Sequence, residues 1–398
     1  MKYFLPILLL LIRCPLWATP VQAHEFNGHV SAEARLFFNE PLYQEQDRNN
    51  GSIVLAPEYY HEWESGSSFI FVPFLRLDSS DPERTHFDIR ELNFLLLNDS
   101  WELRIGVGKV FWGVTEFVHL VDIINQTDLV EDIRGEDKLG QPMAHLSVPS
   151  NWGVFDFFIL PFFRERTFPG PEGRLRTAIV VDTDDPLYES SAGENHVDFA
   201  LRYTRIFDFA DLGIYYFKGT GRNPLFIPSV NAGSQPVLLP FYQLIDQAGI
   251  DLQLVAGNWL WKLETLYQDN DTESFYAATG GFEYTFFRIG DSIMDLGFIT
   301  EFAYDDRNDN SASSFENDLL FGLRLAVNDA ASSELLLGLS YDLDNNGNIL
   351  QIEANRRLND NIKIFLEGWF FFNTEPEDYY LYSIRDDDLV RLRFFYYF

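Results

Sequence analysis

One short stretch, DLDNNGNILQIE, carries oxygen-bearing side chains at the spacing of a calcium loop: Asp342, Asp344, Asn346, Gly347 for the sharp turn, and Glu353. Its flanks argue against calcium. ELLLGLSY before it and ILQIEANRR after it alternate with period two, and an Asn-Gly pair between alternating runs is a hairpin signal. Zinc hydrolase chemistry fails by register. HEFNGH (24–29) has its second histidine one residue too late for H-E-x-x-H, and His61-Glu62 is followed by Ser65 where a histidine is needed. A copper site at His24 and His29 would require the chain to begin at His24. Ser79, Asp81, Asp182, His86, His119 and His196 fall near expected loop ends, where a lipid hydrolase at a barrel rim would hold its groups. No nucleophile-elbow pattern singles one out, so the residues do not point to an enzyme, a metal or a cofactor.

The elements that must carry these residues alternate with period two. HVSAEARLFF (29–38) places Val30, Ala32, Ala34, Leu36 and Phe38 on one face and Ser31, Glu33 and Arg35 on the other. The same rhythm recurs in SWELRIGVG (100–108), HVDFALRYT (196–204), NWLWKLETLY (258–267), NDLLFGLRLAV (317–327) and NIKIFLEGWFFF (361–372). Segments of about ten residues suit tilted strands crossing a bilayer. Helical periodicity is nearly absent. Connections alternate too. Short ones such as NDS (98–100), PSN (149–151) and GN (257–258) follow long ones such as 39–51, 109–142, 163–195, 219–240 and 373–386.

The expected fold is therefore all-β: a closed antiparallel transmembrane β-barrel of about eighteen strands, with sixteen as the alternative count. An even count puts both termini at the periplasmic end and the long loops outside. A soluble sandwich also alternates, but it leaves the long-short rhythm and the apolar face of every strand unexplained. At the other end of the sequence, Lys2, the apolar run Tyr3 to Ile12 and Val21-Gln22-Ala23 read as a secretory signal over residues 1–23, cleaved after Ala23. Cys14, the only cysteine, falls within it, so residues 24–398 form one barrel without disulfides.

If the apolar face meets lipid, the charged face lines the lumen, because a charge near the bilayer midplane costs about 2–4 kcal/mol. Inward acids and bases are then about equal in number, which argues against a strongly basic phosphate pore. The chain's formal charge of −32, from 61 acids and 29 bases, resides mainly in loops and turns and argues against a nucleic-acid partner. The stretch GKVFWGVTEFVHLVDIINQTDLVED (108–132) is too long for a simple turn. Thr127 before acids suggests a short helix. A loop folding inward over about 109–142 would bring Asp122, Asn125, Asp128, Glu131 and Asp132 toward Arg76, Arg90 or Arg104. The pore-lining and constriction candidates are Arg76, Arg90, Glu102, Arg104, Asp122, Asn125, Asp128, Arg202, Glu301, Arg324, Arg391 and Arg393. The ending LVRLRFFYYF (389–398) reads as a last strand whose Arg391 and Arg393 meet Glu33 where the barrel closes.

The pattern G-K-x-x-x-W-G followed by D-I-I-N-x-x-D-L resembles that of a porin-like family of Gram-negative outer-membrane β-barrel proteins. Gly108, Lys109, Trp112, Gly113, Asp122, Asn125 and Asp128 carry the resemblance, which covers mainly residues 86–175 and extends to LGQPM and LPFFRERTFPGPEGRL (160–175). The family commonly has a proline after the asparagine; here Gln126 stands there, so the loop can turn differently. The resemblance implies a barrel with an inner loop of recurring type and no settled substrate.

Together these readings lead to a channel for passive diffusion of small solutes, restricted by an inward loop. A channel selective for sugars or amphipathic aromatic solutes is the alternative, and an outer-rim lipid hydrolase a third. The expected partners are the lipid bilayer and lipopolysaccharide, small solutes, and the outer-membrane assembly machinery through the strand ending at Phe398. A homo-oligomer is compatible with this class. The expected location is the outer membrane of a Gram-negative bacterium.

Overall fold

The computed structural model describes residues 24–307 and 315–398; the signal expected over 1–23 lies outside them. The strands follow the alternating segments closely. In order they are β1 (His24–Phe37), β2 (Asn49–Glu62), β3 (Ser68–Asp78), β4 (Phe87–Asn98), β5 (Trp101–Gly108), β6 (Gln141–Ser150), β7 (Gly153–Leu160), β8 (Leu187–Tyr188), β9 (Asp198–Ile206), β10 (Ala210–Thr220), β11 (Leu225–Val230) and β12 (Pro236–Tyr242). There follow β13 (Leu244–Ala256), β14 (Trp259–Asp269), β15 (Ser274–Phe286), β16 (Asp295–Asp305), β17 (Asn317–Ala326), β18 (Glu334–Asp342), β19 (Asn348–Arg357), β20 (Ile362–Phe372) and β21 (Leu389–Tyr397). All except β8, β11 and β12 belong to one 18-stranded sheet. Each strand pairs antiparallel with the next, and β1 pairs with β21 from His29–Tyr397 to Phe37–Leu389. The sheet is thus a closed barrel of eighteen strands, with no open edge to satisfy.

Alternation sets which residues point where. On β14, Trp259, Trp261, Leu263 and Tyr267 face outward and stay exposed, while Lys262, Glu264 and Leu266 are buried inside. Neighbouring strands repeat this in register. Tyr267 faces Tyr276 of β15, and Ala248 of β13 lies between Tyr216 and Tyr267. Tyr304 and Tyr341 continue the outward tyrosines toward the long-loop end. At the short-turn end Trp152, Phe155, Trp259, Phe286 and Tyr396 are exposed. An apolar band between two aromatic girdles is the surface a bilayer requires, and in water it would far exceed the patches a soluble monomer tolerates. No described helix is long and apolar enough to cross a membrane.

Short and long connections alternate over most of the barrel; β14–β15 (270–273) and β18–β19 (343–347) are short ones at the long-loop end, and β15–β16 (287–294) is a longer one at the short-turn end. Tight turns such as Gly257-Asn258 join β13 to β14, with Gly257 at φ 64° in the left-handed region that glycine tolerates. Residues 109–140 form the connection from β5 to β6. The connection from β7 to β9 contains β8, and the one from β10 to β13 contains β11 and β12; these three strands make a small sheet of their own.

The calcium-like stretch is a hairpin. Asp342 ends β18, Asn348 begins β19, and Asn346 takes φ 56° in the turn. The Asp342 carboxylate accepts from the backbone N–H groups of Asp344 and Asn345, while Glu353 is bonded elsewhere, to Arg134 and Gln351. Two expectations need correction. No helix starts at Thr127: it bridges Lys138, and the Asp128 carboxylate is held by Arg90 and Thr167 instead of supporting a first helical turn. The single α-helix among the described residues is α1 (Tyr379–Ser383), capped by Asp378, which accepts from Leu381 N at 3.0 Å. Barrel closure also differs in detail. Arg391 and Arg393 pair with Glu367 of β20, and Glu33 is held by Arg35, Arg76 and Arg84. The reason is reach: Glu367 faces Arg391 directly across β20–β21, and Arg84, from the β3–β4 connection, occupies the space beside Glu33.

Candidate functional site

The β5–β6 connection makes the site. It leaves the wall after Gly108 and bonds to inward side chains of strands far apart around the barrel. On one side, Glu264 of β14 accepts from Val114 N at 2.6 Å, Thr115 N at 3.0 Å, Thr115 Oγ1 at 2.6 Å and Val121 N at 3.2 Å. Glu301 of β16 accepts from Glu116 N at 2.8 Å and Phe117 N at 3.2 Å. Glu116 itself meets Arg324 of β17 and lies 3.6 Å from Lys262 of β14.

On the opposite side the connection is held by arginines. Arg76 of β3 donates Nε to Glu131 Oε1 at 2.6 Å. The Glu131 carbonyl accepts from Arg35 of β1 at 3.0 Å and from Arg391 of β21 at 2.9 Å. Arg90 of β4 reaches Asp128 at 2.6 Å, and Arg391 reaches Asp132 at 3.3 Å. Arg84 donates to the Val130 carbonyl at 2.6 Å. Glu33, Glu131, Asp132, Glu367 and the arginines between them form one buried network. In such a place each charge is tolerable only because its partners are complete. Burial pushes the Glu131 carboxyl up, but Arg76 and the guanidiniums beside it outweigh burial and hold it down at about 2.

The resemblance-bearing residues have physical jobs here. Asn125 is a hub: its side chain accepts from Val110 N at 2.8 Å and donates to Gly108 O at 2.9 Å and Leu139 O at 2.8 Å, pinning the two ends of the connection together. Trp112 packs among Phe158, Tyr215 and Phe217 with Arg202 4.8 Å above its ring. Gly113 takes φ +150°, and a Cβ there would meet Glu264 Oε1 at 3.1 Å, so glycine is what lets the backbone approach that carboxylate. Asp122 accepts from Trp112 N at 3.3 Å and faces Lys138 at 3.2 Å; burial raises its pKa and Lys138 opposes the rise. Gln126, in place of the proline, is fully buried, and its Oε1 accepts from Thr127 N.

Of the sequence-named residues, Arg76, Arg90, Asp122, Asn125, Asp128, Glu301, Arg324 and Arg391 are in or against this connection. Arg202 pairs with Asp251 at 2.8 Å beside Trp112, and Arg393 supports Glu367. Glu102 and Arg104 stand apart, near the short-turn end of β5, paired across strands with Ser147 and His145, and among the described residues neither forms an ion pair with the connection. Sequence reading did not single out Arg84, Arg134 or Arg222, and it placed Glu264 on the lumen face without a partner. Arg222 donates to the carbonyls of Ile123 and Ile124, each at 3.0 Å, and pairs with Asp198 at 3.0 Å. Nothing in its local sequence marks it, since it lies in a long connection where a solvated arginine is the default.

His86, Asp128 and Glu131 bring ligand atoms within 4.8 Å of one another. Arg90 and Arg76 already neutralise the two carboxylates, so a divalent cation would meet two guanidiniums there, and the group does not fit a metal. Past the connection, toward the long-loop end, lies a cavity of about 780 Å³. Its wall on β14–β20 is mostly apolar.

No protein-family model matches the chain, and no curated protein matches its sequence. Among solved structures it is similar to a BenF-like porin from Pseudomonas fluorescens Pf-5, with 9% identity over 95% of this chain and 98% of that one and a TM-score of 0.55. Variants of the porin of Rhodopseudomonas blastica align over 94% of this chain and all of theirs, at 12% identity and a TM-score of 0.44. The first likeness is one of fold: a closed transmembrane barrel of porin-like architecture.

Proposed function

We propose that the chain is a porin-like channel of the Gram-negative outer membrane. It passes small solutes by passive diffusion, and residues 109–142 are an inward-folded loop that narrows the lumen. The observation that carries the reading is a single connection bonded to Glu264 and Glu301 on one side and to Arg76, Arg90 and Arg391 on the other, inside a closed eighteen-strand barrel. A barrel of this size is wide enough for water unless loops fill it. The remaining cavity of about 780 Å³ supports a restricted path. Arg76, Arg90, Asp122, Asn125, Asp128, Glu301, Arg324 and Arg391 shape the narrow region. Arg202 and Arg393 brace it, and Glu102 and Arg104 line the lumen below it. In this reading the short-turn end and both termini face the periplasm, the strand ending at Phe398 is presented to the assembly machinery, and the girdles meet lipid and lipopolysaccharide.

Expressed with its leader in a Gram-negative host, the chain should fractionate with the outer membrane. Purified protein added to planar bilayers in potassium chloride should give discrete conductance steps. A correctly folded, inserted protein that gives no steps would overturn the channel reading.

A further inference from the structure

The lumen beyond the loop is not the charged, evenly wetted passage that period-two patterning suggests. Inward positions on β14–β20 change character along the strands. Toward the short-turn end they carry Lys262, Glu264, Glu283, Glu301 and Arg324. Toward the long-loop end they carry Leu266, Phe275, Leu320, Ile349, Trp369 and Phe371, which line the same cavity with Gln268, Asp305, Ser340 and Gln351 among them. The loops that close over them add apolar side chains to the same clusters, including Leu120 beside Leu266 and Phe275, and Tyr380 beside Trp369 and Phe371. An open water path gains nothing from such a lining. A volume of about 780 Å³ with one apolar wall, facing loops that carry polar and charged groups, is what a small-molecule site offers.

The cations lining the cavity are not equivalent. Arg134, Lys138, Arg222 and Arg307 each pair with a carboxylate of the protein. Arg176 gives its guanidinium to the carbonyls of Pro171, Thr177 and Ala178 and stacks on Tyr43. Arg166 is the least satisfied: like Arg176 it pairs with no carboxylate, but where Arg176 has three carbonyls and a ring, the Arg166 side chain donates only to the side-chain oxygens of Gln126, at 3.4 Å, and Asn223. Among the described residues no carboxylate lies within 4.0 Å of it. A part-buried guanidinium without a counter-ion, at the edge of an apolar chamber, is an unfavourable arrangement that an anionic ligand would relieve.

We propose that this chamber is a binding site for amphipathic monoanions: an apolar ring or short chain lies against the β14–β20 wall, and its single carboxylate or sulfonate meets Arg166. This rests on the channel reading for its role in transport, because a solute held here is retained on its way past the loop. The site itself does not depend on conduction.

The test uses the full-length barrel in lipid nanodiscs and isothermal titration against empty discs. Cyclohexanecarboxylate is the probe, with acetate lacking the apolar body and cyclohexylmethanol lacking the charge. Cyclohexanecarboxylate should bind more tightly than either. Arg166→Gln should lower its affinity, relative to that of cyclohexylmethanol, by about ten- to a hundredfold, the worth of a charge-assisted hydrogen bond, and Arg166→Lys should restore part of the ratio. Leu320→Asn should weaken cyclohexanecarboxylate and cyclohexylmethanol alike. Equal binding of acetate and cyclohexanecarboxylate, or an affinity ratio unmoved by Arg166→Gln, would overturn the proposal. Bilayer recordings separate the two readings. Binding without conductance steps removes the channel and keeps the site. Steps that cyclohexanecarboxylate does not attenuate, in a protein that does not bind it, remove the site and keep the channel.

Discussion

The two inner walls of this barrel are built on the same alternating pattern and end in opposite chemistry. Along β20, β21, β1, β3 and β4, inward positions carry Glu367, Arg391, Glu33, Arg35, Arg76 and Arg90, and almost every charge is spent on another charge or on the β5–β6 loop. Along the long-loop halves of β14–β20 they carry mostly leucine, isoleucine and aromatic rings facing an open chamber, with the buried acids Asp305, Asp318 and Asp342 near the strand ends. The first wall holds the loop and the second leaves room beside it. A strand pattern specifies which face is inward, but it does not say whether the inward face will meet water, a loop or a solute.

The largest way to break this comparison is to remove Arg391. It is buried and bonds Glu367 at 2.7 and 2.8 Å, Asp132 at 3.3 Å and the Glu131 carbonyl at 2.9 Å. Arg391→Met keeps most of the volume and strands those acceptors, which should cost about 3–5 kcal/mol. Leu336→Ala on the other wall deletes side-chain atoms that already border the chamber, and should cost less than about 2 kcal/mol, below the cost of a fully packed leucine. Unfolding in detergent, followed by circular dichroism against denaturant, measures both. If Leu336→Ala proved the costlier change, the division into a fastening wall and a solute-facing wall would be wrong.

A smaller effect sharpens where the fastening wall ends. Glu264 is on β14, within the apolar wall's own strands, yet it is fully buried and anchors the other arm of the loop through four donors. Glu264→Gln keeps one acceptor oxygen and turns an amide NH2 donor toward backbone N–H groups, so it should cost about 1–3 kcal/mol. It should also loosen residues 114–121, raising their amide hydrogen exchange while residues near Glu131 keep their protection. Equal exchange at both places would mean that the loop opens as one unit and that the two anchors are not separable.

Much of this was legible in the sequence for a simple reason. Strand existence, strand number and the long-short rhythm follow from period two and turn residues, which are local. The hairpin at 342–353 was recoverable because Asn346-Gly347 and its flanks agree. The helix expected at Thr127 failed because Asp128 is bonded by Arg90 and Thr167, contacts across long sequence separations. Arg84 and Arg222, and the partners of the inward Glu264, were hidden for the same reason: they are set by how the loop crosses the barrel. The expected meeting of Glu33 with the last strand holds in register, where Glu33 faces Arg393 across β1–β21, but the ion pairs go elsewhere, Arg391 and Arg393 to Glu367 and Glu33 to Arg35, Arg76 and Arg84, which enters from a connection that strand pairing does not describe. The apolar chamber could have been suspected from Leu320, Leu336 and Ile349, which share inward parity with charged neighbours such as Arg324 and Glu353.

The two regions should also respond to pH with opposite sign. Burial raises Glu131, but Arg76 and its neighbours pull it below its ordinary value of 4.5 to about 2. The folded state therefore holds fewer protons there than the unfolded chain between those values, and its stabilising share is complete above about pH 4.5 and is lost as pH falls toward 2. Glu316, just before β17 at the mouth of the chamber, behaves the other way. Burial first, and then the negative charges of Asp318 and Asp342, raise it from 4.5 to about 8. Between those values the folded state keeps a proton that the unfolded chain releases, so its share of stability falls as pH rises from about 4.5 to 8 and is level beyond. Unfolding midpoints measured across the range from about pH 3 to about pH 9 should show both limbs. Glu316→Gln should flatten the alkaline decline and leave the acid limb in place, and Glu131→Gln should do the reverse while lowering stability at neutral pH. A decline above pH 4.5 that survives Glu316→Gln unchanged would show that Glu316 does not hold that proton.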